Sequence, residues 1–104
     1  MAVPERGEIW LVDLGYAAKI RPCMVLSVSP TAADRALIAL VPHTTSVRGT
    51  QFEVAVPKVF LKSGAFDAQG LVTVSPPRLI RKLGDLQVEE IGIIESAVKL
   101  WLGL

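Results

Sequence analysis

Residues that could handle an anionic substrate occur at two places in the 104-residue chain. Lys19 and Arg21 stand just before an apolar run, and a guanidinium at a strand end can bind a phosphate through two parallel hydrogen bonds. An imidazole and three hydroxyls follow a second apolar run: His43, Thr44, Thr45 and Ser46. The hydroxyls could add hydrogen bonds to phosphate, and the imidazole could transfer a proton. RNA cleavage would require no more, because the 2′-hydroxyl of RNA is itself the nucleophile.

Each of these features also has a structural interpretation. Arg21 could form an ion pair with a nearby carboxylate such as Asp13. The hydroxyl run at residues 44–46 is also typical of a polar turn, and a single histidine is often a packed or surface residue.

The motifs of several other enzyme classes are absent from the sequence. It has no G-x-x-x-x-G-K, G-x-G-x-x-G or H-E-x-x-H motif and no nucleophile elbow. One histidine and one cysteine without clustered carboxylates do not make a transition-metal site. We therefore expect no metal, no cofactor and no catalytic triad.

Composition predicts one folded domain over residues 1–104. Hydrophobic residues make up 51% of the chain and charged residues 20%, and the net charge is only +1, so any contact with nucleic acid must be local or lie in a groove between two copies. The positive mean hydropathy of +0.47 favours a homodimer that covers apolar surface.

Cys23, the only cysteine, is predicted to lie in the core. Without a signal peptide or an apolar segment of ~18 residues, we expect a cytoplasmic protein with no membrane contact.

The apolar patterns predict several strands and a closing helix. Two buried strands are expected, one beginning at Pro22 and one over residues 36–42 ending at Pro42, since proline cannot donate to a ladder. Further strands are predicted over residues 8–14, 51–56, 71–74 and 78–83, the second of these with Phe52, Val54 and Val56 on its core face, whereas residues 58–70 are predicted to be irregular.

The carboxyl end has the clearest helical pattern. Gln87 is the predicted start, with Leu86 and Ile91 spaced as a hydrophobic staple. The predicted buried face consists of residues at helical spacing: Ile91, Ile94, Val98 and Leu102, with Ala97 and Trp101 beside them.

Five segments, taken in order, resemble the MazF/PemK (Kid) toxins. These are RGEIWLVDL at residues 6–14, RP at 21–22, VPHTTS at 41–46, GLV at 70–72 and LGDL at 83–86, followed by the helix. The opening R-G-E-I-W and the R-P pair are the most specific, and the resemblance covers nearly the whole chain.

The resemblance implies a mainly β fold with helices (α+β), an SH3-like β-barrel of the CcdB/Kid/MazF type with a C-terminal helix, assembled as a homodimer. It implies the toxin of a type II toxin-antitoxin system. Such a toxin is a metal-independent, sequence-selective endoribonuclease that cuts single-stranded mRNA to 2′,3′-cyclic phosphate and 5′-hydroxyl ends and so inhibits translation and growth. The partners implied are single-stranded RNA and a MazE-like antitoxin, whose disordered acidic tail occupies the RNA groove and could link the toxin indirectly to DNA.

The resemblance also implies roles for individual residues. Arg21 matches the family's catalytic arginine, and Thr44 matches its catalytic or substrate-positioning threonine. His43 is a candidate base. Thr45 and Ser46 fall in the same substrate-contacting turn as Thr44. Apart from the resemblance, four cations are expected to bind substrate by attracting the RNA backbone: Lys19, Arg48, Arg78 and Arg81.

The chain also departs from the PemK-like pattern. Thr73 and Ser75 stand where PemK-like members carry the arginine and aspartate proposed as acid and base, although Arg78 is retained. The first loop is shorter than in most relatives and lacks their glutamate. These departures leave open a non-catalytic CcdB-like toxin that poisons DNA gyrase, a degenerate relative that binds RNA without cutting it, and a generic barrel adaptor.

Overall fold

A computed structural model describes residues 3–15 and 19–104. Residues 1, 2 and 16–18, which include most of the predicted first loop, lie outside the described part. The described elements are β1 (Glu8–Asp13), β2 (Ile20–Val25), β3 (Ile38–Thr44), β4 (Glu53–Val54), β5 (Ala65–Asp67), a 3₁₀ turn (Ala68–Gly70), β6 (Val72–Val74), a second 3₁₀ turn (Pro76–Arg78), β7 (Leu79–Asp85) and α1 (Val88–Leu102). The prediction of a mainly β chain that ends in a helix is therefore confirmed.

β3 is the branch point of the antiparallel sheet. The strand order is β4-β5-β3-β2-β1-β7, and β6 pairs with β3 beside this path. One edge of β3 pairs with β2, whereas its other edge pairs with β6 along residues 38–40 and with β5 at residues 43 and 44. The last two residues of β3, His43 and Thr44, therefore lie between β2 and β5.

The prediction that Pro22 begins one strand and Pro42 ends another is wrong. β2 already begins at Ile20, and the β2–β3 ladder begins only at Cys23, so the missing NH of Pro22 removes no ladder bond. Pro42 lies in the gap between β6 and β5, where its edge of β3 has no partner strand. Arg21 and Thr44 are therefore strand residues, and the pleat fixes the direction of their side chains.

Side chains alternate between two apolar cores on the two faces of the central strands. One face packs against α1 and β5 and includes Ile9, Met24 and Val41. The opposite face is built from Trp10, Val12, Cys23, Val25, Ile38, Leu40 and Leu79. Cys23 is fully buried, as predicted. The pleat therefore determines which core each neighbouring polar residue adjoins.

α1 begins as predicted and covers the first of these cores. Glu90 Oε1 accepts the Gln87 NH at 2.7 Å, and Gly103 ends the helix with a φ of +73°, a conformation that glycine adopts without strain. Ile94 and Val98 are buried. The prediction that Leu102 lies on the buried face is wrong, because this residue in the last turn is 50% exposed. Within the described residues, no helix is both long enough and apolar enough to cross a bilayer.

The segment predicted to be irregular contains a strand. β5 has only three residues, too few for alternation to stand out, and it lies within residues 58–70. β4 is shorter than the predicted strand over residues 51–56, although Val56 is buried and Phe52 and Val54 pack against the same core. β5 supplies the partner for the last residues of β3.

Candidate active site

Arg21 and Thr44 lie on one face of two adjacent strands. Cys23 in β2 is opposite Pro42 in β3, and the same register extended by two residues sets Arg21 opposite Thr44. Residues two apart in a strand share a face, so both side chains leave the sheet on the side of Cys23. Both residues line a cavity of about 310 Å³, which we call the central cavity, together with Leu14, Pro42, His43, Asp67, Gly70 and Val72. The two residues that match the family's catalytic arginine and threonine therefore share one site.

The hydroxyl of Thr44 is oriented by its own turn. Thr44 Oγ1 accepts the NH of Ser46 at 3.0 Å. Because the oxygen is already an acceptor in this bond, its own proton is left to donate to another group. Thr44 is half-buried at the rim of the central cavity, so an anionic oxygen there could receive that hydrogen bond.

The charge of Arg21 acts on the Cys23 face of the sheet. Burial raises the pKa of the Cys23 thiol to about 12, and the positive charge of Arg21 offsets part of this effect. Asp13, which the sequence offered as an ion-pair partner, is opposite Ile20, so its side chain leaves β1 on the other face. Asp13 Oδ1 accepts the NH of Gly15 at 2.9 Å.

His43 points away from this face because it directly precedes Thr44 in β3. Its ring lies edge-on to Phe66 with centroids 5.1 Å apart, and the residue is 4% exposed. Burial lowers the pKa of the imidazole, which favours the neutral form at neutral pH. The central cavity reaches His43, but its ring packs beside the core under α1. This geometry favours a packing role for His43 over proton transfer at a phosphate held by Thr44.

Asp67 is a candidate site residue that the sequence interpretation missed. It ends β5, and it lines the central cavity with Arg21 and Thr44. Its Oδ1 accepts the NH of Gln69 at 3.0 Å, which starts the first 3₁₀ turn. An aspartate directly before an Ala-Gln-Gly turn is the available signal, but the sequence does not predict the short strand that positions it.

A second cavity, of about 610 Å³, is rich in cations and is called the basic cavity. It contains three of the predicted substrate-binding residues, Lys19, Thr45 and Arg81, and it adds Lys62, which the sequence interpretation missed. Leu11 and Pro22 also line it, so it opens mainly on the face opposite Cys23, and Arg21 and His43 border it as well. Lys19 has a φ of +59°, a left-handed conformation uncommon for a residue with a side chain.

A third cavity, of about 390 Å³, continues from Thr44 and Asp67 and is called the polar cavity. It contains the predicted Ser46 and Arg48, together with Thr50, Glu53 and Gln69. Glu53 shapes this loop by accepting the NH groups of Arg48 at 3.0 Å and Thr50 at 2.8 Å, and these bonds lower the pKa of its carboxyl group. Arg78 lies outside all three cavities, with Nη1 3.5 Å from where a Cβ on Gly15 would be.

Comparison with known proteins identifies the family. The profile of the family described as PemK-like, MazF-like toxin of type II toxin-antitoxin system matches residues 5–102. The chain belongs to this family. The resemblance inferred from the sequence is therefore confirmed.

Individual MazF-like proteins agree with this assignment. Endoribonuclease MazF9 from Mycobacterium tuberculosis is 29% identical over an alignment of 116 residues, gaps included, that covers 95% of this chain and 96% of the relative. A mycobacterial endoribonuclease solved in complex with its cognate antitoxin is 27% identical, with a TM-score of 0.82 over 97% of this chain and 96% of its own. MazF (Form-I) from Deinococcus radiodurans has the same fold, with a TM-score of 0.83 at 24% identity and complete coverage of both chains. The predicted MazF-type fold is confirmed.

The structure also locates the departures from the PemK-like pattern in this MazF-like chain. Thr73 is exposed on β6 opposite Ala39, and Ser75 is exposed directly before the second 3₁₀ turn. Neither residue lines the three cavities. Among the described residues, no group of three or more His, Cys, Asp or Glu side chains could hold a metal ion.

Proposed function

We propose that this MazF-like toxin is an endoribonuclease that cuts single-stranded RNA without a metal ion and leaves 2′,3′-cyclic phosphate and 5′-hydroxyl ends. The observation that carries the proposal is the placement of Arg21 and Thr44 on one face of adjacent strands in one cavity. The similarity to proteins named endoribonucleases, one from Mycobacterium tuberculosis and one described as from a mycobacterial species, supports it.

Arg21 and Thr44 would act on the scissile phosphate. The guanidinium of Arg21 neutralises charge that builds up on the non-bridging oxygens as the 2′-oxygen attacks phosphorus. The Thr44 hydroxyl, whose oxygen accepts the Ser46 NH, donates to the same phosphate and holds it. Lys19 and Arg81 in the basic cavity would attract the RNA backbone, as would Arg78. Thr45, Ser46 and Arg48 would contact neighbouring nucleotides.

We also propose a homodimer and a cognate antitoxin as partners in the cytoplasm. Large apolar side chains of α1 remain exposed, with Ile93 at 56% and Leu100 at 55%, and a second copy could cover them. The mycobacterial relative was solved in complex with its own antitoxin. A MazE-like antitoxin with an acidic tail would complement Lys19, Lys62 and Arg81 in the basic cavity.

Digestion of single-stranded RNA in the presence of EDTA tests the activity. The expected products are specific fragments with cyclic phosphate at one end and a 5′-hydroxyl at the other. Intact RNA under these conditions would refute the proposal, and inhibition of DNA gyrase by the same preparation would favour a CcdB-like toxin.

Two substitutions test the assignment of the site. Arg21→Ala should lower the cleavage rate about 10²–10³-fold, since it removes a preorganised group that stabilises the transition-state charge. Thr44→Val should lower it about 10–150-fold, the equivalent of a hydrogen bond to a charged group of about 1.5–3 kcal/mol. Thr44→Ser should retain most activity, and Arg35→Ala in an exposed loop is the matched control for the loss of an arginine. A folded Arg21→Ala/Thr44→Val protein that cuts as fast as the parent would refute the assignment.

A further inference from the structure

Asp67 and Arg21 flank Thr44 on the same face of the sheet. Ala65 in β5 is opposite Thr44 in β3, and Asp67 shares the face of Ala65 because it lies two residues further on. Arg21 is in β2 on the other side of β3. Since neighbouring strands are about 4.8 Å apart, backbones two strands apart are separated by about 10 Å. A phosphodiester bound at Thr44 would therefore have a cation on one side and a carboxylate on the other.

One carboxylate oxygen of Asp67 is available to a ligand. Oδ1 is occupied by the Gln69 NH, whereas the described residues give no hydrogen bond to Oδ2. Gly70 keeps this side open, because a Cβ there would be 3.2 Å from Oδ2 and 2.9 Å from Cγ of Pro42. Capping of the 3₁₀ turn explains the position of Oδ1, but it does not require Oδ2 to be open beside a cavity that contains Arg21 and Thr44.

We propose that Asp67 is the general base of the cleavage reaction, an inference that rests on the proposed ribonuclease function. The Asp67 carboxylate accepts the proton of the 2′-hydroxyl as the 2′-oxygen bonds to phosphorus. The bond between phosphorus and the 5′-oxygen then breaks, and the 5′-oxygen takes a proton from water. Asp67 returns its proton to solvent, so the reaction involves no change in oxidation state and no further reactant. This assigns the base that Ser75 does not supply.

The placement suits an in-line displacement, in which the entering and leaving oxygens lie on opposite sides of phosphorus. The base must then be beside the 2′-oxygen while the charge on the phosphate is stabilised from another side. Asp67 and Arg21 are separated by β3 in this way. His43 is a poorer candidate, because its ring leaves β3 on the opposite face and packs on Phe66.

The substitution Asp67→Asn tests the proposal with little change in shape. The asparagine oxygen can still accept the Gln69 NH, so the turn is kept while the base is removed. We expect kcat to fall about 10²–10⁴-fold, the usual contribution of general acid–base catalysis, with KM changed less than about threefold. Asp34→Asn is the matched control, because Asp34 is fixed to Thr31 in an exposed turn and should leave kcat unchanged.

The pH dependence of kcat gives a readout that a merely structural role would not change. In the parent protein, kcat should fall at acid pH as the base becomes protonated, and Asp67→Asn should lose this acid limb. The charged or titratable side chains that line the two cavities shared with Asp67 are Arg21, His43, Arg48 and Glu53. His43→Gln and Glu53→Gln should both retain the acid limb.

Chemical rescue completes the test. Asp67→Ala should be nearly inactive and should regain cleavage when formate is added as a small carboxylate base. A folded Asp67→Asn protein that cuts within about threefold of the parent, or one that changes only KM, would overturn the proposal while leaving the ribonuclease function intact. A parent protein that does not cut RNA would overturn both.

Discussion

Gly64 lies against the end of β3, and replacing it with alanine should disturb the candidate site directly. A Cβ on Gly64 would be 2.1 Å from the carbonyl oxygen of Thr44 and 2.8 Å from Cε1 of His43. The first contact is about 1 Å too short, and it involves backbone, so rotation of a side chain cannot relieve it. Either β5, which carries Asp67, or the end of β3, which carries Thr44, must move.

The cost of this overpacking is about 2–3 kcal/mol, at the upper end for inserting a methyl group into a packed region. For a chain of this size, about 1 kcal/mol corresponds to about 4 °C in Tm, so Gly64→Ala should melt about 8–12 °C below the parent. Thermal unfolding followed by circular dichroism measures this change. Cleavage at a temperature where the variant is folded should also fall, because the strand that moves carries either Thr44 or Asp67.

Gly92 provides the matched control. It lies in α1, and a Cβ there meets no atom within 4 Å. Gly92→Ala should therefore stabilise the helix by about 0.5–1 kcal/mol and raise Tm by a few degrees. A Gly64→Ala protein that melts at or above the parent temperature would refute the packing argument, whatever the control does.

Two other groups give independent predictions. Burial lowers the pKa of His43, the only histidine, so the unfolded chain binds a proton near pH 6.5 while the folded chain remains neutral. The free energy of unfolding should therefore decrease as pH falls below about 6.5, and in urea titrations His43→Gln should flatten this decrease; an unchanged slope would contradict the assignment. Cys23 is fully buried with its pKa raised to about 12, so iodoacetamide at pH 8 should label it only at the rate of unfolding. Stoichiometric labelling of the native protein within minutes would be inconsistent with its place in the core.

The sequence predicts the fold well where a pattern is long. The helix at the carboxyl end has a start signal, and its central residues Ile94 and Val98 are buried as expected. The pattern fails in the last turn, where Leu102 extends beyond the surface that the helix covers. It also fails for β5, because three residues with a single large apolar side chain give no measurable period. The pairing of β5 with β3 is a tertiary contact, and no local signal specifies it.

The two prolines in the central strands do not mark where those strands begin or end. The missing donors of Pro22 and Pro42 predict a strand boundary at each residue. Both instead lie where the neighbouring ladder is missing, Pro22 before the start of β2–β3 pairing and Pro42 between β6 and β5. Whether a proline ends a strand therefore depends on which partners flank it, and this information is not local to the sequence.

The residue at which β3 ends also determines which site residues the sequence can predict. With β3 ended at Pro42, His43 and Thr44 would both lie in a loop and could both turn toward one phosphate. Because β3 continues to Thr44, the pleat sends these consecutive side chains to opposite faces, so only one of them can join Arg21. A catalytic set on a sheet must then come from alternate residues of neighbouring strands. The proposed set of Arg21, Thr44 and Asp67 meets this condition on β2, β3 and β5, and the sequence does not reveal its third member because no local pattern pairs β5 with β3.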